Sequence, residues 1–301
     1  MASEIRRLLD RQAADLATLS DREAAAFLNA LEDGRRELAE RMAGIGIGRQ
    51  EFTTYQLRAT QVQITAGIEQ LRARLLRQLD ASTRVAMDAA NRTLLQTLEK
   101  MEPEFQGAAV GLETAVVRRI ADVQNLLLYK HSLTRYTADM VYRMQAGLIQ
   151  SAVQRETLDQ AVERLAGRRD SVLAGMRSRA ELVVRMEQGR AFDAMHQAGM
   201  EEAETILDDP NDPDPLLARA DEYIDARNHP FSRVLDGLTR PVKGGWRVRR
   251  AEVAAEAARM QRRASGILWP LVGAYYVGSQ YPAHFNDRGR QTPWRKSWEE
   301  R

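Results

Sequence analysis

The sequence has no cysteine, which excludes disulfide frameworks, thiolate metal sites, iron–sulfur clusters and a cysteine nucleophile together. Proline is nearly missing from the first 209 residues, where only Pro103 occurs; the rest run from Pro210 to Pro293. Because proline removes a helix donor and collides with the preceding turn, long helices are permitted before residue 210 and interrupted after it. Tryptophan is confined to the same final third, as Trp246, Trp269, Trp294 and Trp298. Charge of one sign is not in excess, since 44 Lys and Arg face 42 Asp and Glu; a strongly charged partner must therefore be met by a local patch. No apolar run reaches the ~20 residues that span a bilayer. The most apolar stretch, Ile267 to Val277, contains Pro270; it is expected to be a buried strand or core segment, with an interfacial or partner-docking segment as the competing reading. The opening residues carry charge within two helical turns, which predicts no secretion signal and synthesis in the cytoplasm.

The first 209 residues are rich in Ala, Leu, Arg, Glu and Gln, the strong helix formers. The predicted fold is mainly α: long antiparallel helices over residues 1–208, an acidic Pro-rich linker at 209–215, and a smaller loop-rich α or α+β domain at 216–301. Ser20 to Glu23 and Thr53 to Gln56 have capping-box spacing and predict helix starts. Gly44, Gly46 and Gly48 predict a loop or hinge between them. Leu57, Ile64, Ile68, Leu71 and Leu75 form a narrow, coiled-coil-like seam, read as an interface for a partner helix and as the basis of a homo-oligomer of several copies. Further stripes run through Leu112, Val116, Ile120, Val123 and Leu127, and through Met140, Met144 and Leu148. Another helix is expected from about Asp170 to Leu207.

Charge then segregates. Residues 201–225 hold ten acids and one base, Arg219. The centre, Asp208 to Pro215, is expected to be a solvated acidic linker; it lacks the spaced ligands, central Gly and terminal Glu of an EF-hand. Residues 240–301 hold thirteen bases against five acids. Arg247, Arg249 and Arg250 are candidate contacts for DNA or an acidic partner. The protein partner is favoured, because these bases are interspersed with Trp, Tyr and Pro suited to a fixed docked tail. Trp294 to Trp298 is likewise read as docking on protein rather than stacking on nucleic acid.

Catalytic patterns are weak. His131, His196, His229 and His284 form no HExxH or HxH pair, no phosphate loop or GxSxG elbow occurs, and no carboxylate pair stands apart. The expectation is a protein without enzymatic activity, cofactor or metal. Two segments depart from generic helix: Asp225 to Gly237, with Arg227, His229, Pro230 and Asp236, and Tyr281 to Arg290, with His284, Asn286, Asp287 and Arg288. Each combines a Pro-fixed turn with His, Asp and Arg, the groups that a clasp of charge-assisted hydrogen bonds between two loops requires.

These segments carry a resemblance. A long helical N-terminal part is followed by a helix reading Arg179-Ala-Glu181-Leu and continuing through Arg190-Ala191. An Arg-x-His-Pro turn closing in Asp236-Gly237 comes next, and last a Pro-x-His-x-Asn-Asp-Arg element at residues 282–288. This order resembles the minor head, or head morphogenesis, proteins of tailed phages of the phage Mu type, over roughly residues 140 to 295. Many members carry a Pro-x-Cys-Arg-Cys-like element here, whereas His284 to Arg290 has no cysteine. The resemblance implies a structural head component that docks near the portal vertex, with the portal and other head proteins as partners. Its implied location is the host cytoplasm during assembly and the virion afterwards. The alternative is an internal virion protein of DNA ejection, contacting DNA or the host envelope.

Overall fold

The computed structural model describes residues 2–45, 54–101, 129–167, 171–207, 214–221, 229–244, 246–260, 271–272, 274–278 and 290–296. The chain is mainly helical. Helices α1 (Ala2–Ala43), α2 (Thr54–Met101), α3 (Tyr129–Val153), α4 (Leu158–Ala166) and α5 (Arg177–Leu207) come first, a 3-10 turn at Ala174–Met176 leading into α5. After them come β1 (Leu217–Asp221), α6 (Pro230–Leu235), β2 (Thr239–Pro241), β3 (Trp246–Arg249), α7 (Arg250–Arg259), β4 (Leu271–Val272), β5 (Tyr275–Gly278) and β6 (Arg290–Trp294).

The chain forms two compact units, and the division does not fall at 209–215. One unit joins Met1–Ser20, Thr83–Leu127 and Met186–Arg301; the other joins Asp21–Ser82 and Leu128–Arg185. Helices α1, α2 and α5 thus contribute residues to both.

In the second unit, α1 and α2 pack antiparallel through a reciprocal pair of glycines. A methyl on Gly34 would overlap Leu71, and one on Gly67 would lie 2.6 Å from Leu38 Cδ1. Arg74 closes the same face on Glu37 at 2.7 Å. The seam is therefore filled from within the chain: Ile64, Ile68, Leu71 and Leu75 are at most 3% exposed, and Leu57 is half-buried. The reading of these residues as a surface for another molecule is corrected. A heptad stripe asks for a helix, and α1 meets it where Leu71 lies on Gly34 and Leu38 on Gly67, with Phe27, Leu31, Leu38 and Met42 of α1 buried in turn. Helix α3 buries Leu133, Tyr136, Met140, Met144 and Leu148 and runs antiparallel to α2, with Arg72 donating to Thr134 (3.0 Å) and Gln145 to Thr65 (3.4 Å). Helix α4 starts at a full capping box between Thr157 and Gln160, and Leu165 sits where a Gly147 side chain would be.

Two expected helix starts move. Ser20 lies inside α1, its hydroxyl donating to Gln188 Oε1 at 2.9 Å instead of capping. The last long helix begins at Arg177, after the 3-10 turn, not near Asp170. Thr53, Gly46, Gly48, Pro103 and the stripe Leu112 to Leu127 lie outside the described residues.

In the first unit, Gln12 of α1 donates to the Thr93 carbonyl and Thr97 hydroxyl of α2. Residues 191–200 of α5 are buried at every position, the pattern of a helix covered all round rather than on one stripe. Two antiparallel three-stranded sheets follow, ordered β2-β1-β6 and β3-β5-β4. Gly237, with φ of 77°, turns the chain from α6 toward β2. Its N–H reaches the Ala220 carbonyl (2.7 Å) while the Ala220 N–H reaches Leu238 (2.8 Å), tying this turn to β1. The described end of the Ile267 to Val277 stretch is not core: Leu271 and Val272 are 44% and 60% exposed. These residues form β4, at the end of the β3-β5-β4 order, where among the described residues no strand pairs with its other side.

Candidate functional site

Strand β3 places its residues alternately on two sides. Trp246 and Val248 point inward at 2% and 1% exposure, so Arg247 and Arg249 face solvent, and exposed Arg250 follows as the first residue of α7. Pairing with β5 sets Arg249 opposite Tyr275 and Arg247 opposite Val277; Tyr275 in turn pairs with Val272 of β4. Tyr275 organises both guanidinium groups. Arg247 lies 4.6 Å and Arg249 5.9 Å from the ring centroid, and Arg249 Nε donates to the phenol oxygen at 3.3 Å. That hydrogen bond and the electrostatic interaction with the same Tyr275, followed by the nearby Glu252, raise the Arg249 pKa above its ordinary value.

The charge environment of this face differs from that of the helices. Arg36, Arg74, Arg143, Arg179 and Arg190 each meet an Asp or Glu within 3.0 Å. Among the described residues no carboxylate forms an ion pair with Arg247, Arg249 or Arg250. Two planar forks, held by one ring and presented to solvent, suit bidentate recognition of carboxylate or phosphate.

Beneath this face lies a buried polar cluster that sequence reasoning missed. Arg240 on β2 is 5% exposed; its guanidinium is 4.9 Å over the Trp246 ring. It donates to Gln197 Oε1 at 2.7 Å, to the Pro241 carbonyl at 2.8 Å and to the Val242 carbonyl. Gln197 Nε2 donates to Val242 at 2.7 Å and to Glu201 at 2.9 Å, and Lys243 pairs with Glu204 at 2.9 Å. These contacts fasten the turn between β2 and β3 to α5, so Trp246 and the strand it begins are fixed. Arginine is seldom buried, so composition offered no signal for Arg240; its place in the alternation of β2, between exposed Thr239 and Pro241, is the one available cue.

The predicted clasp is only partly within view. Arg227, His284, Asn286, Asp287 and Arg288 lie outside the described residues. His229 caps α6, its Nδ1 accepting from the Phe231 N–H at 3.1 Å, with Pro230 in the first turn. Asp236 closes the same helix through its N–H to Ser232 at 2.9 Å. The described part of the His-Pro to Asp-Gly motif is thus a capped short helix and a left-handed turn. His131 is exposed, and His196, 1% exposed, stacks on Phe192 at 5.7 Å. Asp208, Asp209 and Asp212 are outside the described residues, while Asp214 accepts from the Lys296 N–H at 2.8 Å.

Among the described residues no three His, Asp or Glu side chains form a metal-binding group. No described helix is long and apolar enough to cross a membrane. No protein-family profile matches the chain, and no curated protein or solved structure matches it.

Proposed function

We propose that the chain is a structural, non-enzymatic head-assembly protein of a tailed phage or prophage, which docks through its C-terminal sheet onto an acidic protein surface near the portal vertex. The resemblance of residues 140–295 supports the phage assignment. The observation that carries the docking role is the Arg247–Tyr275–Arg249 arrangement: two exposed guanidinium groups held by one half-buried ring, with no ion pair to a carboxylate among the described residues. The buried Gln197–Arg240 cluster gives that face a fixed floor, and a fixed face loses little conformational freedom on docking. Partners on this reading are the portal and other head proteins, with several copies of this chain per particle.

Two measurements test it. Antibody labelling of purified particles is expected to place the chain at one vertex; its absence from particles removes the phage reading. Salt dependence tests the docking partner, using the full chain and its Arg247→Ala/Arg249→Ala/Arg250→Ala variant. Poly-glutamate is expected to bind the wild type and to lose about tenfold in affinity with the variant, a difference of about 1.4 kcal/mol. Random duplex DNA provides the contrast. Each phosphate contact releases counterions, so log affinity falls by about 0.9 per contact as log salt rises. A steep slope on DNA that disappears in the variant replaces the acidic-protein partner with DNA and promotes the ejection alternative.

A further inference from the structure

We infer that α2 carries a self-complementary stripe, Tyr55, Arg58, Val62, Thr65, Glu69 and Arg72, that pairs antiparallel with the same stripe on a second copy of the chain. The six positions are separated by three, four, three, four and three residues, which keeps them on one helix face. They lie on a side of α2 turned away from the seam and next to α3: Tyr55 is 80% and Val62 65% exposed, and the Glu69 and Arg72 side chains are 59% and 37% exposed. Thr65 and Arg72, at the edge of the stripe, also meet Gln145 and Thr134 of α3.

The order of side chains identifies the occupant. Reversing the stripe sets Tyr55 against Arg72, Arg58 against Glu69 and Val62 against Thr65, and by symmetry each pairing occurs twice. This is the condition for an isologous two-fold contact, in which one patch must complement itself. Within one copy, Arg58 has no ion pair among the described residues, and Glu69 meets Arg72 at 3.4 Å. The two-fold arrangement offers Arg58 a carboxylate and Tyr55 a guanidinium for its ring. From Tyr55 to Arg72 the stripe covers about 26 Å of helix.

Helix α3, antiparallel to α2 through the Thr65–Gln145 and Arg72–Thr134 contacts, adds an apolar shoulder. Tyr142, Ile149 and Val153 are 72%, 51% and 77% exposed at intervals of seven and four residues. Large apolar side chains facing solvent on two adjacent helices mark an interaction surface. This inference is independent of the sheet face and of any phage role, so either can fail alone.

The cysteine-free sequence makes the register testable in the full chain. Mixing Val62→Cys with Thr65→Cys under mild oxidation is expected to give a disulfide-linked pair in excess of that formed by either variant alone or by Ala81→Cys, which is exposed but off the stripe. Sedimentation velocity is expected to show a reversible dimer. Arg58→Glu and Glu69→Arg are each expected to weaken it about tenfold by setting like charges together across two symmetric contacts, and the double swap to restore it. All these positions are solvent-facing, and an unchanged circular dichroism spectrum separates lost pairing from lost folding. A chain monomeric at about 100 μM, well above a micromolar dissociation constant, overturns the inference. So does a dimer indifferent to both charge reversals, or one whose Val62→Cys chains link to themselves more readily than to Thr65→Cys.

Discussion

Gly34 and Gly67 set how closely α1 and α2 can approach, yet they do not tolerate a side chain equally. An added methyl on Gly34 meets three carbons of Leu71, the nearest overlapping outright, whereas on Gly67 it meets Leu38 Cδ1 at 2.6 Å and the next carbon only at 3.8 Å. Alanine gains about 0.5–1 kcal/mol over glycine in a helix interior, and overpacking a core costs about 1–3 kcal/mol. Gly34→Ala is therefore expected to destabilise by about 1–2 kcal/mol, since all of Leu71 must move, and Gly67→Ala to be nearly neutral, since one methyl can rotate away; urea denaturation measures both. Tyr136 offers a pH-dependent case. It is 1% exposed and donates to the Met176 carbonyl at 3.3 Å. Burial is the main cause that pushes its pKa above the ordinary tyrosine value; Arg179 pulls it down and Asp139 up by smaller amounts. A folded pKa above the unfolded one contributes stability that is fully present below about pH 10 and is lost as pH rises beyond it, because the unfolded chain releases the proton first. Tyr136→Phe should cost about 1 kcal/mol or less at pH 7, where one long hydrogen bond is lost. It should also shift the alkaline unfolding midpoint upward; an unchanged midpoint would count against this account.

At the scale of elements, periodicity disclosed which residues of α2 and α3 are buried but not what covers them. The seam at Ile64, Ile68, Leu71 and Leu75 is compatible with α1 of the same chain or with another chain, and only the fold decides between them. Capping motifs show a related ambiguity. Ser20–Glu23 and Thr157–Gln160 share the same spacing, but α4 follows a break at Arg155, whose φ is 54°, whereas helical backbone continues through Ser20. A cap begins a helix where the preceding residues cannot be helical. The arginines of β3 were legible from charge, though not the strand that alternates them; the Gln197–Arg240 attachment of α5 to β2 was not, because both partners are residue types that usually stay on the surface. Its energetics follow from the pairing. Gln197→Leu leaves the buried Arg240 without one acceptor and should cost about 1–3 kcal/mol. Arg240→Met alone leaves the Gln197 oxygen without that donor. Removing both polar partners is tolerated better than removing one, so the Gln197→Leu/Arg240→Met pair should cost less than the two single losses added together. Strict additivity in this double-mutant cycle would mean that the 2.7 Å contact does not couple the elements.

For the molecule as a whole, composition changes most sharply at the acidic linker, and it is natural to expect an independent domain on either side. The contacts divide the chain differently, since the unit that holds the C-terminal sheets also holds Met1–Ser20, Thr83–Leu127 and α5 from Met186 onward. Composition marks where the backbone stops being helical, whereas a folding unit is defined by which apolar surfaces cover one another, and those surfaces are brought together from distant parts of the sequence. The consequence is clearest at residues 191–200, buried on every side, where Phe192, Met195 and Met200 are at most 2% exposed. A chain ending at residue 208 loses Arg240, Val242 and Lys243, which bind this helix at Gln197 and Glu204. It therefore exposes part of that surface to water. Each large apolar side chain so exposed forfeits about 1.5–3 kcal/mol, a substantial share of a typical domain's 5–15 kcal/mol. The 1–208 truncation is expected to keep most of its helical circular dichroism, because the second unit lies entirely within it. It should nevertheless bind an apolar dye, associate nonspecifically and unfold at lower urea than the full chain. Adding the Arg58→Glu change separates this association from the α2 stripe, because exposure of α5 persists when the stripe is disabled. A 1–208 chain that bound no dye and unfolded at the same urea concentration as the full chain would show that the sheets contribute nothing to covering α5.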